Sequence, residues 1–461
     1  MARNYDGAMT KARRVGITAV CAGLVAVLTL QLTGTLDLRP GGDATPHSSR
    51  TSQPGASSDG AASPVPTVDE QSARMAATQD LLSARAAAVK TRNKRAWMAT
   101  VDAPATGFRG RQSLAFDNLI KLPLGRFSYG TVQLAPALAD ARARRVGPEA
   151  WVAKAPGTYS LAGYDRAPRP FEATFTLVRR PGGWRIADDT DGATAMQVWD
   201  LPRIKVLRGR SSLVIGNAPG SRMRDYSATA ESAVRRVSGV WGKGWSSHVV
   251  IVTPATTREF AGLLLRDADD GLDQVAAITQ GVIDPGQRAQ GDRVVINPKA
   301  FTALQPIGRR VVITHELTHV AIRSSTNRPV PIWLSEGMAD YIGYSGLDLP
   351  RASVAAELLT LVRKGKGPKA LPTAADFDPA RTTIAPYYSA SWLAVSRLVD
   401  LYGQARVVAF YRAVAGRMTV SQAIESDPEA ITRKAFPKSF GVTQPQFVTG
   451  WKRYLKDLAQ A

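Results

Sequence analysis

The stretch GRRVVITHELTHVAIRS, residues 308–324, decides the fold of this chain. Its apolar residues recur with the period of an α-helix, so it predicts one continuous helix. His315 and His319 are four residues apart and share one helical face, so both imidazoles can bind a single metal ion. Glu316 lies beside them, near enough to handle a water molecule without binding the metal. The alternative, two histidines of an apolar core, leaves these buried polar groups in need of other partners.

The stretch PIWLSEGMADYIGY, residues 331–344, offers a third metal ligand. Catalytic zinc usually has three protein ligands and one open position. Glu336 follows His319 by 17 residues, and Asp340 lies four positions later on the same helical face. The neighbouring side chains are too apolar for a solvated helix: Ile332, Trp333, Leu334, Met338 and Tyr341. Two carboxylates on a buried helix require a cation, which zinc supplies.

Together, HELTH and the following WLSEGMADY resemble the gluzincin zinc metallopeptidases, the thermolysin-like branch of the peptidase MA clan. The resemblance is specific over residues 308–345 and extends more weakly over about 205–461. It implies that Zn²⁺ is bound by His315, His319 and Glu336. It also implies that Glu316 is the general base and that Asp340 is the second carboxylate, which holds His315.

The same resemblance implies two further features of the cleft. Family members pair the substrate backbone with an edge strand, for which both 293–297 and 280–283 are candidates. They also supply a Tyr or His that stabilises the oxyanion, and PYYSASWLAVSRLVDLYG, residues 386–403, fits the helix that carries it. We assign this role to Tyr388 rather than Tyr387. The chain departs from thermolysin in lacking a clear downstream His, and it also lacks the Gly-x-Met-x-Asn signature of the aminopeptidases.

The segment 69–200 predicts a separate domain. Its period indicates helices over 70–90 and 93–100, followed by short strands over 127–134, 158–164, 171–179 and 184–188. This order of elements and the hairpin LVRRPGGWRIAD resemble the NTF2-like cone fold. The segment carries no constellation of acids, histidines or nucleophiles. We therefore interpret it as a structural module, or as a module that binds a ligand or partner protein.

The N-terminus predicts a membrane anchor. Residues 15–36 form a run of 22 residues without a charge, long enough to cross a bilayer as a helix. Basic residues precede the run, which places residues 1–14 in the cytoplasm: Arg3, Lys11, Arg13 and Arg14. The Ser-, Pro- and Gly-rich segment 37–68 predicts a disordered stalk. A cleaved signal peptide and a secreted protein are the alternative.

Composition excludes several classes of protein. With 44% hydrophobic and 21% charged residues, the 461-residue chain is not wholly disordered. Its one cysteine, Cys21, excludes a disulfide framework and cysteine-rich metal modules. The net charge of +21 favours anionic surroundings, but the expected topology disfavours nucleic acid as a partner. His47 in the stalk and His248 at the start of a strand are interpreted as bystanders.

The sequence as a whole predicts an α+β protein with a transmembrane helix, an NTF2-like domain and a two-lobed zincin domain over 201–461. That last domain combines a mixed sheet and the active-site helix with a following all-helical lobe. The predicted function is a membrane-anchored, extracytoplasmic zinc peptidase that hydrolyses peptides or proteins of the cell envelope. Two alternatives stay open: a catalytically silent envelope scaffold, and a sensor whose NTF2-like cup binds a ligand.

Overall fold

The computed structural model describes residues 31–33, 67–147, 149–192, 194–266, 272–283, 289–378, 381, 383–416 and 427–461. The first of these segments is a short strand, β1 (Gln31–Thr33). Residues 67–200, called the N-terminal module below, begin with helices. A capping box between Thr67 and Glu70 starts the first helix, and the side chain of Asn93 caps the second.

The N-terminal module continues with two small antiparallel sheets. Its helices are α1 (Val68–Lys90), α2 (Lys94–Ala99), α3 (Thr106–Leu119) and α4 (Asp140–Val146). Its strands are β2 (Leu124–Tyr129), β3 (Gln133–Leu134), β4 (Trp151–Lys154), β5 (Gly157–Leu161), β6 (Arg169–Phe171), β7 (Thr174–Arg180) and β8 (Gly183–Asp188). The sheet orders are β2-β5-β6 and β3-β4-β7-β8. The sequence did not indicate α3, whose first two turns contain Gly107 and Gly110, both unfavourable to a helix.

A six-stranded mixed sheet follows the module. It adds β9 (Lys205–Arg208), β10 (Ser212–Gly216), β11 (Val249–Thr253), β12 (Ala277–Ile283) and β13 (Gln290–Ile296). The strand order is β1-β12-β13-β11-β10-β9, with β10, β11 and β13 parallel to one another and β12 antiparallel to β13. Strand β12 therefore lies next to the end of the sheet, while β13 lies inside it.

The two faces of this sheet pack against different partners. Successive side chains of a strand point to opposite faces. Leu213 and Ile215 share a core with the N-terminal module, whereas Val214 packs on the helical side. The sheet is thus the middle layer of three. The segments 69–200 and 201–461 share one apolar core across its face.

Helices form the third layer and most of the described chain that follows the sheet. Those interspersed with the sheet are α5 (Gly220–Trp241), α6 (Thr257–Leu263), α7 (Pro298–Ala303) and α8 (Pro306–Ser325). Those that follow it are α9 (Ile332–Tyr344), α10 (Arg351–Val354), α11 (Ala356–Arg363), α12 (Ala385–Tyr402), α13 (Gln404–Val414), α14 (Pro428–Phe440) and α15 (Gln444–Gln460). The described chain is α+β.

The transmembrane helix predicted over residues 15–36 is the part of the fold prediction that is wrong. Among the described residues, no helix combines the length and the apolar character needed to cross a bilayer. Within the predicted span, Gln31–Thr33 form β1, whose backbone pairs in parallel with residues 281–283 of β12. Backbone groups bonded to a neighbouring strand do not form the internal hydrogen bonds of a helix. The remainder of the span, the tail 1–14 and residues 37–66 of the stalk lie outside the described residues.

Candidate metal centre

Helices α8 and α9 bring the residues of the two sequence motifs together. Helix α9 packs between α8 and α12, and two glycines allow the close approach. A Cβ on Gly337 would lie 2.4 Å from the backbone oxygen of Ser391 on α12. A Cβ on Gly343 would lie 3.3 Å from the backbone oxygen of Val311 on α8. The missing side chains let α9 approach both neighbours, which carries Glu336 and Asp340 to the histidines.

Three donor atoms converge on one point between these helices. Nε2 of His315 lies 3.0 Å from Nε2 of His319 and 3.2 Å from Oε2 of Glu336. Nε2 of His319 lies 3.5 Å from the same carboxylate oxygen. Tetrahedral zinc with bonds of about 2.0–2.1 Å places its ligand atoms about 3.3 Å apart. The three side chains are almost fully buried, and their spacing fits one tetrahedral ion.

Asp340 fixes the orientation of His315. Its Oδ1 lies 2.7 Å from Nδ1 of His315, so Nδ1 donates to this carboxylate and Nε2 is the nitrogen that faces the other two metal-binding atoms. Carboxylate partners of this kind set the tautomer of metal-binding histidines and raise their basicity. Asp340 itself is 6% exposed, so its charge is also held inside the protein.

The electrostatics of the cluster favour a bound cation. Burial lowers the pKa of His315, but the charges and hydrogen bonds of Asp340 and Glu336 outweigh it and raise that pKa to about 10. Burial likewise raises the pKa of Glu336, yet the neighbouring histidines outweigh it and hold the pKa far below its usual range. Burial lowers the pKa of His319, which keeps that ring in the neutral form that binds metals. The two carboxylates thus draw a positive charge onto His315, which is the kind of charge that a bound cation would supply.

Glu316 has one oxygen held and one oxygen available. Its Oε2 accepts a hydrogen bond of 2.5 Å from Oγ1 of Thr279 on β12. Its Oε1 is buried and has no hydrogen-bond partner within the part of the chain that the structure describes. Burial raises the pKa of Glu316 to about 8, against the lowering effects of His315 and Thr279. A buried carboxylate oxygen without a partner, beside three convergent metal ligands, is suited to accept a proton from water.

Of the two neighbouring tyrosines, only Tyr388 is directed toward the cluster. Its ring centroid lies 6.2 Å from that of His315, and it is 8% exposed. Burial, together with the charges of Glu336 and nearby acids, raises the pKa of Tyr388 well above its ordinary value, so its hydroxyl remains a hydrogen-bond donor. Tyr387 instead accepts a hydrogen bond of 2.9 Å from Arg381. His248 is exposed and bonds to the backbone oxygen of Ser246.

Sequence reasoning did not identify two residues beside this site, one that binds Glu316 and one that holds the neighbouring strand β12. Thr279 is fully buried and binds Glu316. Arg323 lies one turn beyond His319 on α8, and its Nη2 donates to the backbone oxygen of Gly281 at 3.1 Å. The signal for Thr279 is a polar residue within the mostly apolar run AAITQGV, residues 276–282, which β13 and α7 separate from the helix with the histidines. Neither predicted edge strand lies at the edge of the sheet: residues 293–296 belong to β13, inside the sheet, and 280–283 belong to β12, which pairs with both β1 and β13. Of the two, β12 is the strand that contacts Glu316.

No protein-family model matches the chain, and no curated protein matches it in sequence.

Proposed function

We propose that this protein is a zinc-dependent hydrolase of peptide bonds. The observation that carries the proposal is the convergence of His315, His319 and Glu336 at distances of 3.0–3.5 Å. Beside them lies Glu316, one oxygen of which has no hydrogen-bond partner among the described residues. The resemblance of HELTH and WLSEGMADY to the gluzincin peptidases supports the same proposed function. A purely structural metal site has no need of the base that Glu316 provides.

The residues of the site divide the reaction among them. A zinc ion held by the three ligands would supply Lewis acidity to the scissile carbonyl and to the attacking water. Glu316 accepts a proton from that water at Oε1, as the water oxygen bonds to the carbonyl carbon. The same carboxyl then gives the proton to the amine nitrogen, and the carbon–nitrogen bond breaks. The hydroxyl of Tyr388 donates a hydrogen bond to the oxyanion that develops.

The resemblance to the gluzincin peptidases suggests the substrate class, and the chemistry of these groups is compatible with it. A single activated water, one base and one oxyanion donor suffice for an amide bond, and nothing in the proposal requires a second cofactor. Peptides or proteins are therefore the proposed substrates.

Metal content and turnover, measured on the same preparations, test this proposal. The full chain would be purified, stripped with a chelator and reloaded with zinc, and then assayed with quenched fluorescent peptides. We expect one zinc per chain and hydrolysis that disappears with the metal and returns with it. Glu316→Gln should retain zinc while kcat falls about 10²–10⁴-fold.

A second variant separates binding of the metal from chemistry. Glu336→Ala should lose both zinc and hydrolysis, because two imidazoles alone hold the ion too weakly. Full turnover in Glu316→Gln would refute the mechanism. Full zinc occupancy in Glu336→Ala would show that the third ligand is another residue. A parent protein that binds zinc and hydrolyses no peptide would favour the scaffold instead.

A further inference from the structure

Thr279 makes the only side-chain hydrogen bond to the carboxylate of Glu316 found among the described residues. Its Oγ1 lies 2.5 Å from Oε2 of Glu316 and 3.1 Å from the backbone oxygen of the same residue. A hydroxyl has one hydrogen, and the shorter distance assigns it to the carboxylate. We propose that Thr279 is the positioning residue for Glu316, an inference that rests on the function proposed above.

The strand that carries Thr279 is held in place from two sides. Nη2 of Arg323, on the same helix as Glu316, donates to the backbone oxygen of Gly281 and to Oδ1 of Asp292 at 3.2 Å. From the N-terminal module, Nη1 of Arg169 donates to the backbone oxygens of Gln280 at 3.2 Å and Gly291 at 2.9 Å. The hydroxyl of Thr279 is therefore presented to Glu316 from a fixed backbone.

This contact determines which oxygen of Glu316 can act. A glutamate side chain has three rotatable bonds, and a buried carboxylate without a donor loses the solvation that it had in water. The hydroxyl satisfies Oε2 and leaves Oε1 as the acceptor for a proton. Because threonine is neutral, it orients the carboxylate without placing a positive charge against the base. A lysine or arginine at this position would weaken the base.

Two substitutions and a control test the proposal in the zinc-loaded full chain. Thr279→Val has nearly the same shape but no hydroxyl. It should lower kcat about 10–100-fold, because Glu316 loses the hydrogen bond that orients its carboxylate. KM should stay within about twofold of the parent, and zinc content should be unchanged, because the hydroxyl of Thr279 is buried against Glu316 and Thr279 is not one of the three proposed metal ligands. Thr279→Ser restores the hydroxyl and should return kcat to within about threefold of the parent.

The control is Thr253→Val on β11. Thr253 is also buried, and its hydroxyl lies 3.4 Å from the backbone oxygen of Ile215. This variant should keep the kcat of the parent. Parental kcat in Thr279→Val, or equal losses in the Val and Ser variants, would overturn the proposal. A parent without zinc-dependent hydrolysis would instead overturn the proposed function.

A measurement without turnover tests the contact itself. In zinc-free protein, Thr279→Val should lower the urea concentration at the midpoint of unfolding, because it leaves Oε2 of Glu316 without its donor. In a Glu316→Leu background the same substitution should have a clearly smaller effect, since no carboxylate remains to be satisfied. Equal shifts in the two backgrounds would show that Thr279 does not hold Glu316.

Discussion

Nδ1 of His315 lies 2.7 Å from Oδ1 of Asp340, although 25 residues separate them in the chain. The contact joins α8 to α9 inside the protein and fixes which nitrogen of His315 faces the other donors. Removal of the charge of Asp340 should therefore weaken metal binding more than it destabilises the fold.

Asp340→Asn should weaken zinc binding about 10–100-fold, because the amide orients the ring less firmly and withdraws negative charge from it. Hydrolysis should return when excess zinc is added. Competition with a zinc-binding dye gives the affinity, and Asp348→Asn, on an exposed residue of the following loop, is the control. Unchanged zinc affinity in Asp340→Asn would remove Asp340 from the site.

Tyr388→Phe should lower kcat on the order of a hundredfold and leave KM nearly constant, because an oxyanion donor acts mainly in the transition state. Tyr387→Phe should have little effect, since the hydroxyl of Tyr387 faces Arg381. Steady-state kinetics on the two variants decide between the neighbours. A larger loss of kcat in Tyr387→Phe would reverse the assignment.

Gly337→Ala should cost about 1–3 kcal/mol of unfolding free energy and weaken zinc binding. The new methyl would lie 2.4 Å from the backbone oxygen of Ser391, which cannot move without displacing α12. Gly450→Ala is the matched control, because that exposed glycine of α15 has open space around it. It should stabilise the protein by about 0.5–1 kcal/mol. Urea unfolding compares the two, and a stabilising Gly337→Ala would contradict the tight packing of α9.

Asp165→Asn should destabilise the full chain by about 3–5 kcal/mol. Both oxygens of Asp165, in the N-terminal module, lie 2.7 Å from the guanidinium of Arg293 on β13, and the two side chains are 1% and 5% exposed. The substitution leaves a buried arginine without its counter-charge.

The control for that pair is Asp273→Asn, which breaks an exposed ion pair with Lys299, the two side chains being 73% and 70% exposed. It should change stability by less than about 1 kcal/mol. If urea unfolding shows equal effects for Asp165→Asn and Asp273→Asn, the buried pair does not hold the module to the sheet.

The sequence predicted the parts of the site whose geometry is local. An α-helix places residues four apart on one face whatever surrounds it. The spacing of His315, Glu316 and His319 was therefore enough to predict how these side chains lie relative to one another. The same argument paired Glu336 with Asp340. The start of α6 is local in the same way, because Thr256 and Glu259 form its capping box.

The relations between distant segments were decided only by the tertiary structure. Helical period does not specify how closely two helices pack. The approach of α9 to α12 depends on Gly337, and its approach to α8 depends on Gly343, because each glycine lies against backbone atoms of that helix. Strand order is likewise non-local, so the sequence left 293–297, with 280–283 as its alternative, as candidates for the edge strand. The chain reversal that carries Thr279 to Glu316, 37 residues away, has no signature in either segment. For the uncharged run 15–36, composition alone did not distinguish a membrane-spanning helix from a strand. Its length is compatible with a membrane span, but the partner that satisfies its backbone groups depends on the surrounding fold, and for Gln31–Thr33 that partner is a neighbouring strand.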